Sequence, residues 1–498
     1  MRCGRAGIAG YGLAGAIAAL GAMLLAGCAG QLPAMAPEPM VQTAAPPPQQ
    51  PNMTPAELQE HQRILASYGG VYSDPRLQAM VEQLVERLVA ASDRPDLHYK
   101  VTMLNSETVN AFALPTGQLY VTRGLISLAN DQSELASVIG HEMGHVIARH
   151  AELRERKIRD EELNEKVFTN LVSDPQASAM ALARSKLSLA SFSQKQELDA
   201  DAIGIQIAAR AGYDPYGSVR FLGSLERSSE LKPRPNGSIN PAAPDFLSSH
   251  PATPERIAHA EAVARQYRAP ADVTAEQSVQ AKDAYLADVS GMVFGEDPSE
   301  GFVRGRRFLH PRLGFTFTAP EGFILDNTAQ AVLGVKRGGG AALRLDVVHV
   351  PAEQTLATYL NSGWIENIDP KSIHDVTISG FDGATATAKG DDWDFRLYVI
   401  RFGSDVYRFI FAAKSFTPQT DRVFRASVGT FRRITLAEIQ HARPLRLMIV
   451  TVGPHDTIEK LASRMAVPDR QVEQFRVLNG LNPGDTLRPG SEVKIVVE

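Results

Sequence analysis

Residues 131–147 read Asp-Gln-Ser-Glu-Leu-Ala-Ser-Val-Ile-Gly-His-Glu-Met-Gly-His-Val-Ile, and the rest of the chain is read outward from them. Asp131, with Glu134 three residues on, is a helix start. Leu135, Val138, Ile139, Met143, Val146 and Ile147 then recur with the period of one helical face. That helix carries His141-Glu142-Met143-Gly144-His145, an H-E-x-x-H pattern. Side chains four apart lie one above the other, so both imidazoles can converge on one metal ion. Glu142 stands beside them, placed to take a proton from water that zinc has acidified. With 12 histidines in 498 residues, chance produces this pattern about 0.02 times per chain. The bland alternative is a helix whose two histidines are structural.

Zinc in a catalytic site needs a third protein ligand. The candidate lies in Gln196-Glu197-Leu198-Asp199-Ala200-Asp201, where Glu197 and Asp201 share a helix face. Glu197 can ligate the metal while Asp201 hydrogen-bonds the far nitrogen of a ligating histidine. Acidic pairs at this spacing commonly mark a solvated face. Here Ala202, Ile203, Ile205, Ile207 and Ala208 follow, so the helix must pack inward.

Asn110-Ala111-Phe112-Ala113-Leu114-Pro115, Val121-Thr122-Arg123-Gly124-Leu125, His141–His145, Glu197–Asp201 and Ser249-His250-Pro251 occur in order. Together they resemble the HtpX and CaaX-prenyl-protease family of zinc metallopeptidases, family M forty-eight, and within it the soluble periplasmic BepA-like branch. The resemblance covers about residues 55–268. It implies a gluzincin-type site with His141, His145 and Glu197 on one zinc per chain and Glu142 as general base. It implies that Gln118, Leu119, Tyr120, Val121 and Thr122 form the edge strand along which substrate backbone pairs, a mode that binds many sequences alike. It further implies that His250 can fill the open zinc position and hold the enzyme latent, and that His250 and Arg256 lie near the transition-state oxyanion. Read alone, His250 is a surface or capping residue. Leu231–Ser249, with Pro233, Pro235, Gly237, Pro241 and Pro244, is long and irregular enough for a lid.

Composition narrows the alternatives. The 51 basic and 56 acidic side chains leave a net charge of −5, which argues against nucleic acid held on a basic surface. The only cysteines, Cys3 and Cys28, exclude a disulfide scaffold or catalytic thiol in the folded body. Arg2 and Arg5 precede an uncharged run to Leu32 that includes Leu25-Ala26-Gly27-Cys28. Residues 1–27 read as a lipoprotein signal peptide, the alternative being an uncleaved membrane anchor. Lipidation falls on Cys28, and Ala29 after it favours the outer membrane by resemblance to lipoprotein sorting. The Pro-rich tether 28–53 cannot bury a core and reaches about 75 Å at most in polyproline geometry.

Beyond the peptidase domain, 54–268, a helical connector at 269–300 includes Ala275–Val289. Residues 301–440 form an α+β domain of undisclosed role, with strands at Arg312–Ala319, Ala342–Val350, Asp394–Arg401 and Asp405–Ala412 and a closing helix at Val423–Phe431. Residues 446–498 resemble a LysM-type module of strand, two short helices and return strand. The matching residues include Asp456-Thr457, Leu478-Asn479-Gly480-Leu481 and Pro489-Gly490, although His455 replaces the usual glycine.

The fold class expected is therefore multidomain α+β: a mostly helical gluzincin-type domain with a small β-sheet, an α+β domain, and a LysM-like βααβ module. The expected function is a zinc endopeptidase, lipid-anchored on the periplasmic side of the outer membrane, that hydrolyses misfolded or stalled envelope proteins. The alternative is a chaperone-like or peptidoglycan-binding scaffold with a latent zinc site. Expected partners are unfolded envelope polypeptides, outer-membrane lipid through Cys28 and peptidoglycan through the LysM-like module, with no nucleic acid.

Overall fold

Capping chemistry places the helix starts. Thr54 and Glu57 form a capping box on Pro55–Ser67, and Asp74 caps Pro75–Ala91. Asp131 accepts from the Glu134 amide at the head of Gln132–Ile147, and Ser193 pairs with Gln196 at Gln194–Arg210. The computed structural model describes residues 53–156, 192–231, 246–267, 275–390 and 392–498. The expectations for the signal peptide, Cys28, the tether up to residue 52 and residues 232–245 of the Leu231–Ser249 lid lie outside these residues, while Phe246–Ser249 forms a short helix. No helix among the described residues is long and apolar enough to cross a membrane.

The Gln132–Ile147 and Gln194–Arg210 helices cross at small residues. A Cβ on Gly144 would stand 2.9 Å from the Ala200 carbonyl oxygen, and one on Gly204 2.6 Å from the His141 amide nitrogen. Larger residues would wedge the backbones apart, so these glycines set the separation at which the histidines and Glu197 meet. Leu135, Ile139, Met143, Ile205 and Ile207 bury the apolar faces of both helices in one core.

A three-stranded sheet covers this pair: β1 (Lys100–Leu104), β2 (Ala111–Ala113) and β3 (Gln118–Thr122), in the order β1-β3-β2. This corrects the expectation for Gln118, Leu119, Tyr120, Val121 and Thr122. They are the central strand, parallel to β1 and antiparallel to β2, and their ladder hydrogen bonds are taken on both sides. The edge next to the site is Ala111–Ala113. The apolar run Leu119-Tyr120-Val121 is fully buried, as a central strand should be.

Residues 302–433 build a seven-stranded antiparallel sheet and a four-stranded one. The four expected strands are present, at Phe315–Thr318, Ala341–His349, Asp394–Phe402 and Asp405–Ala413, together with further strands that the sequence pattern does not mark. The closing helix is Pro418–Val428, not Val423–Phe431, because Thr417 caps it with Pro418 in the first turn and the helix stops at Gly429.

The C-terminal segment has the expected order: strand Leu445–Thr451, helices Ile458–Ala462 and Gln471–Leu478, strand Glu492–Val497. It is not a free-standing module. The connector is not purely helical, since β4 (Val293–Phe294) joins the C-terminal sheet by pairing with Leu445 and Arg446. Leu447, Phe475 and Ile495 share one core with Leu84, Leu135 and Phe221. Lys494 is fully buried, and its Nζ donates to the carbonyls of Ser127 and Ala129, both at 2.8 Å.

Candidate active site

Four buried side chains converge where the two glycine-packed helices touch. One ligand atom from each of His141, His145, Glu197 and His250 lies within 4.8 Å of every other. His141 Nε2 is 3.1 Å from His145 Nε2 and 3.3 Å from His250 Nδ1. Glu197 places Oε2 3.5 Å from His141 Nε2, Oε1 3.5 Å from His145 Nε2, and Oε1 2.9 Å from His250 Nδ1. Tetrahedral zinc with bonds of about 2.0–2.1 Å holds its ligand atoms about 3.3 Å apart. Three imidazoles and a carboxylate at these separations fit that ion. Glu142 Oε1 adds a second sign of fit: it is buried and has no hydrogen-bonding partner among the described residues.

The side chains behind the ligands divide the orienting roles. Asp201 Oδ1 lies 2.7 Å from His141 Nδ1, as expected from its spacing to Glu197. His145 Nδ1 faces His150 Nδ1 at 3.0 Å. Arg256 binds Asp201 through Nε at 2.8 Å and a terminal nitrogen at 2.7 Å. Its other terminal nitrogen reaches Glu197 Oε2 at 2.8 Å and the Pro251 carbonyl at 3.1 Å. The structure thus places Arg256 as a buried clamp on two carboxylates. These four contacts use four of its five N–H donors, leaving one N–H on a terminal nitrogen for the oxyanion role that the resemblance implies.

These contacts move the titrations. Burial raises Glu197, but hydrogen bonds from His145 and His250 outweigh it and hold the carboxyl well below the ordinary range. Burial pulls His145 down to about 3. His141 is lowered by burial but raised overall, mainly by the Asp201 charge. Burial pushes Glu142 up against the opposing pull of His250, His141 and the Ala113 amide. The amide contact shows that edge strand β2 runs directly past the candidate base.

His250 stands between the ligand cluster and Glu142, with Nε2 3.7 Å from Glu142 Oε1. Two aromatic rings hold it: Phe246 stacks on it at 4.6 Å, and Phe192 stacks on it at 5.5 Å and on His145 at 4.0 Å. His150, Phe192, Phe246 and Gly204 do not stand out in the sequence. The four-residue spacing of Gly140, Gly144, Ala200 and Gly204 is a signal that could have found the helix contact. Nothing local marks the two phenylalanines.

Residues 75–264 match the model of Peptidase family M48. The chain is 30% identical over 218 residues to the Beta-barrel assembly-enhancing protease of Escherichia coli O157:H7, covering 41% of this chain and 42% of that protein. It is 33% identical over 172 residues to the Mitochondrial metalloendopeptidase OMA1 of Arabidopsis thaliana, covering 34% of this chain and 32% of that one. The chain thus spans well under half the length of these curated relatives. Among solved structures, cyanobacterial PsbP from Synechocystis sp. PCC 6803 aligns with 28% of this chain and 98% of its own. At a TM-score of 0.22 and 14% identity that alignment adds nothing to the reading.

Proposed function

We propose, for a chain whose residues 75–264 form a Peptidase family M48 domain, that this protein is a zinc-dependent endopeptidase. The observation that carries the reading is the convergence of His141, His145 and Glu197 with Glu142 close at hand. Zinc, when bound, supplies Lewis-acid polarisation of a peptide carbonyl and acidifies water. Asp201 fixes the His141 ring, and Arg256 fixes both Asp201 and Glu197. Glu142 takes the proton of the attacking water and returns it to the leaving nitrogen. The β2 edge offers main-chain hydrogen bonds to an extended substrate, a mode tolerant of side chains and suited to unfolded polypeptides.

The wider setting is a proposal of the same kind. Leu25-Ala26-Gly27-Cys28 supports a lipid anchor on the periplasmic side of the outer membrane. Relatives described as β-barrel assembly-enhancing proteases support misfolded or stalled envelope proteins as substrates. The βααβ order of residues 445–498 supports contact with peptidoglycan.

A second reading, a scaffold with a latent zinc site, is favoured by His250. Its Nδ1 stands among the ligand atoms, in the position a catalytic site leaves for water. One experiment separates the two. Zinc content and cleavage of unfolded casein are measured for the chain from Met53, for Glu142→Gln and for His250→Ala. The peptidase reading expects about one zinc, cleavage lost in Glu142→Gln with zinc retained, and faster cleavage in His250→Ala. Zinc without cleavage in both wild type and His250→Ala overturns it in favour of the scaffold. Protein without zinc overturns both.

A further inference from the structure

The two ligating histidines are supported unequally. A histidine that offers Nε2 to a metal carries its proton on Nδ1, and that N–H needs an acceptor to fix tautomer and ring orientation. His141 has a carboxylate for this purpose, Asp201. His145 does not: the Glu197 carboxylate meets its Nε2, on the metal side. The atom facing His145 Nδ1 is His150 Nδ1, at 3.0 Å, with the two rings edge-to-face and His150 buried.

This contact is not a consequence of helical spacing. Residues five apart on a straight helix point roughly 140° away from each other. The helix ends at Ile147, and Arg149 adopts φ 57°, the left-handed region. That conformation is costly for a residue with a Cβ and persists only where its surroundings demand it. Here it returns His150 to the His145 ring, and Gln196 from the Glu197 helix holds the turn by donating to the His150 carbonyl at 3.3 Å.

We propose that His150 is the positioning residue of His145: a neutral imidazole, protonated on Nε2, whose Nδ1 lone pair accepts the His145 Nδ1 proton and keeps His145 Nε2 aimed at the metal. The inference rests on the zinc-site reading above. It makes the pair asymmetric, with a carboxylate behind His141 and an uncharged acceptor behind His145.

The test measures zinc affinity by competition with a chromophoric chelator, for wild type, His150→Ala and His150→Asn. The asparagine amide oxygen can accept the same proton. Loss of a supporting partner should weaken zinc about 10–100-fold in His150→Ala, with most of the loss recovered in His150→Asn. Wild-type affinity in His150→Ala overturns the proposal, as does equal weakening in both variants, which would mean packing alone. A companion measurement needs no variant. In the ¹⁵N-labelled zinc-loaded protein, His150 should be protonated on Nε2 and His145 on Nδ1; a proton on His150 Nδ1 overturns the assignment. If the wild type binds no zinc, the zinc-site reading itself falls and takes this proposal with it.

Discussion

Residues 302–433 enclose cores of their own, one around Phe317, Phe409, Phe411 and Phe431 and another around Leu360, Ala386, Leu397 and Val399. Residues 445–498 have none: Leu447, Leu461, Phe475 and Ile495 belong to the core that also holds the His141 helix. The segment nearer in sequence to the zinc site is therefore the separable one, and the segment at the end of the chain is integral. The point of attachment shows how. Phe294 and Leu445 sit opposite each other across an antiparallel ladder, so the intervening domain leaves and re-enters the body at adjacent strands. Lys494, by contrast, is sunk against the end of the Arg123–Leu128 helix, just before the helix that carries the histidines.

The largest effect should come from removing residues 445–498. The truncated chain should lose zinc and the cooperative melting of the peptidase domain together, because a shared core loses one wall, while residues 302–433 still melt on their own cores. A truncated protein that melts cooperatively and still binds zinc would dissolve the contrast. Next in size is Lys494→Ala, which leaves buried carbonyls without a donor and opens a cavity. A loss of about 3 kcal/mol in urea unfolding is expected, and a loss below about 0.5 kcal/mol, typical of a surface site, would show that the clamp is idle.

A smaller effect concerns pH at the other junction. Burial pushes Glu296 and Glu300, where the intervening domain begins, up to about 7. Their folded pKa values lie above the unfolded ones, so the folded state holds more protons between about pH 4.5 and 7. Stability is lost as pH rises through that window. Glu300→Gln should therefore gain relative to wild type from pH 5 to pH 8, by about 1–2 kcal/mol after solvent screening, read as the difference between melting curves at the two pH values. An unchanged difference would remove Glu300 from the account. The smallest effect should follow replacement of residues 295–444 by Asn-Gly, which closes β4 and Leu445–Thr451 into a hairpin at the Phe294–Leu445 pair. Zinc content should be unchanged and the melting temperature should move by a few degrees. Loss of zinc would show that the domain is part of the site after all.

Much of the site is legible in the amino-acid sequence alone. His141, His145, Glu142, Glu197 and Asp201 are readable because their relations fall within single helices, at spacings of four residues or fewer. A helix converts that spacing into one face whatever surrounds it. The cap at Asp131 and the strands at Asp394–Phe402 and Asp405–Ala413 are legible for the same reason, since each depends on neighbours a few residues away. What only the tertiary structure decided depends on contacts across long stretches of chain. Whether Gln118–Thr122 is an edge or a centre depends on which strands pair with it. The role of Arg256 depends on Asp201 and Glu197 reaching it from another helix, and that of His150 on one left-handed residue that no periodicity announces. The C-terminal segment reads as an independent βααβ unit because its local pattern is complete. Only packing shows that its apolar face is satisfied by the zinc-site domain, because burial is non-directional: sequence spacing marks which face is apolar and not which partner covers it.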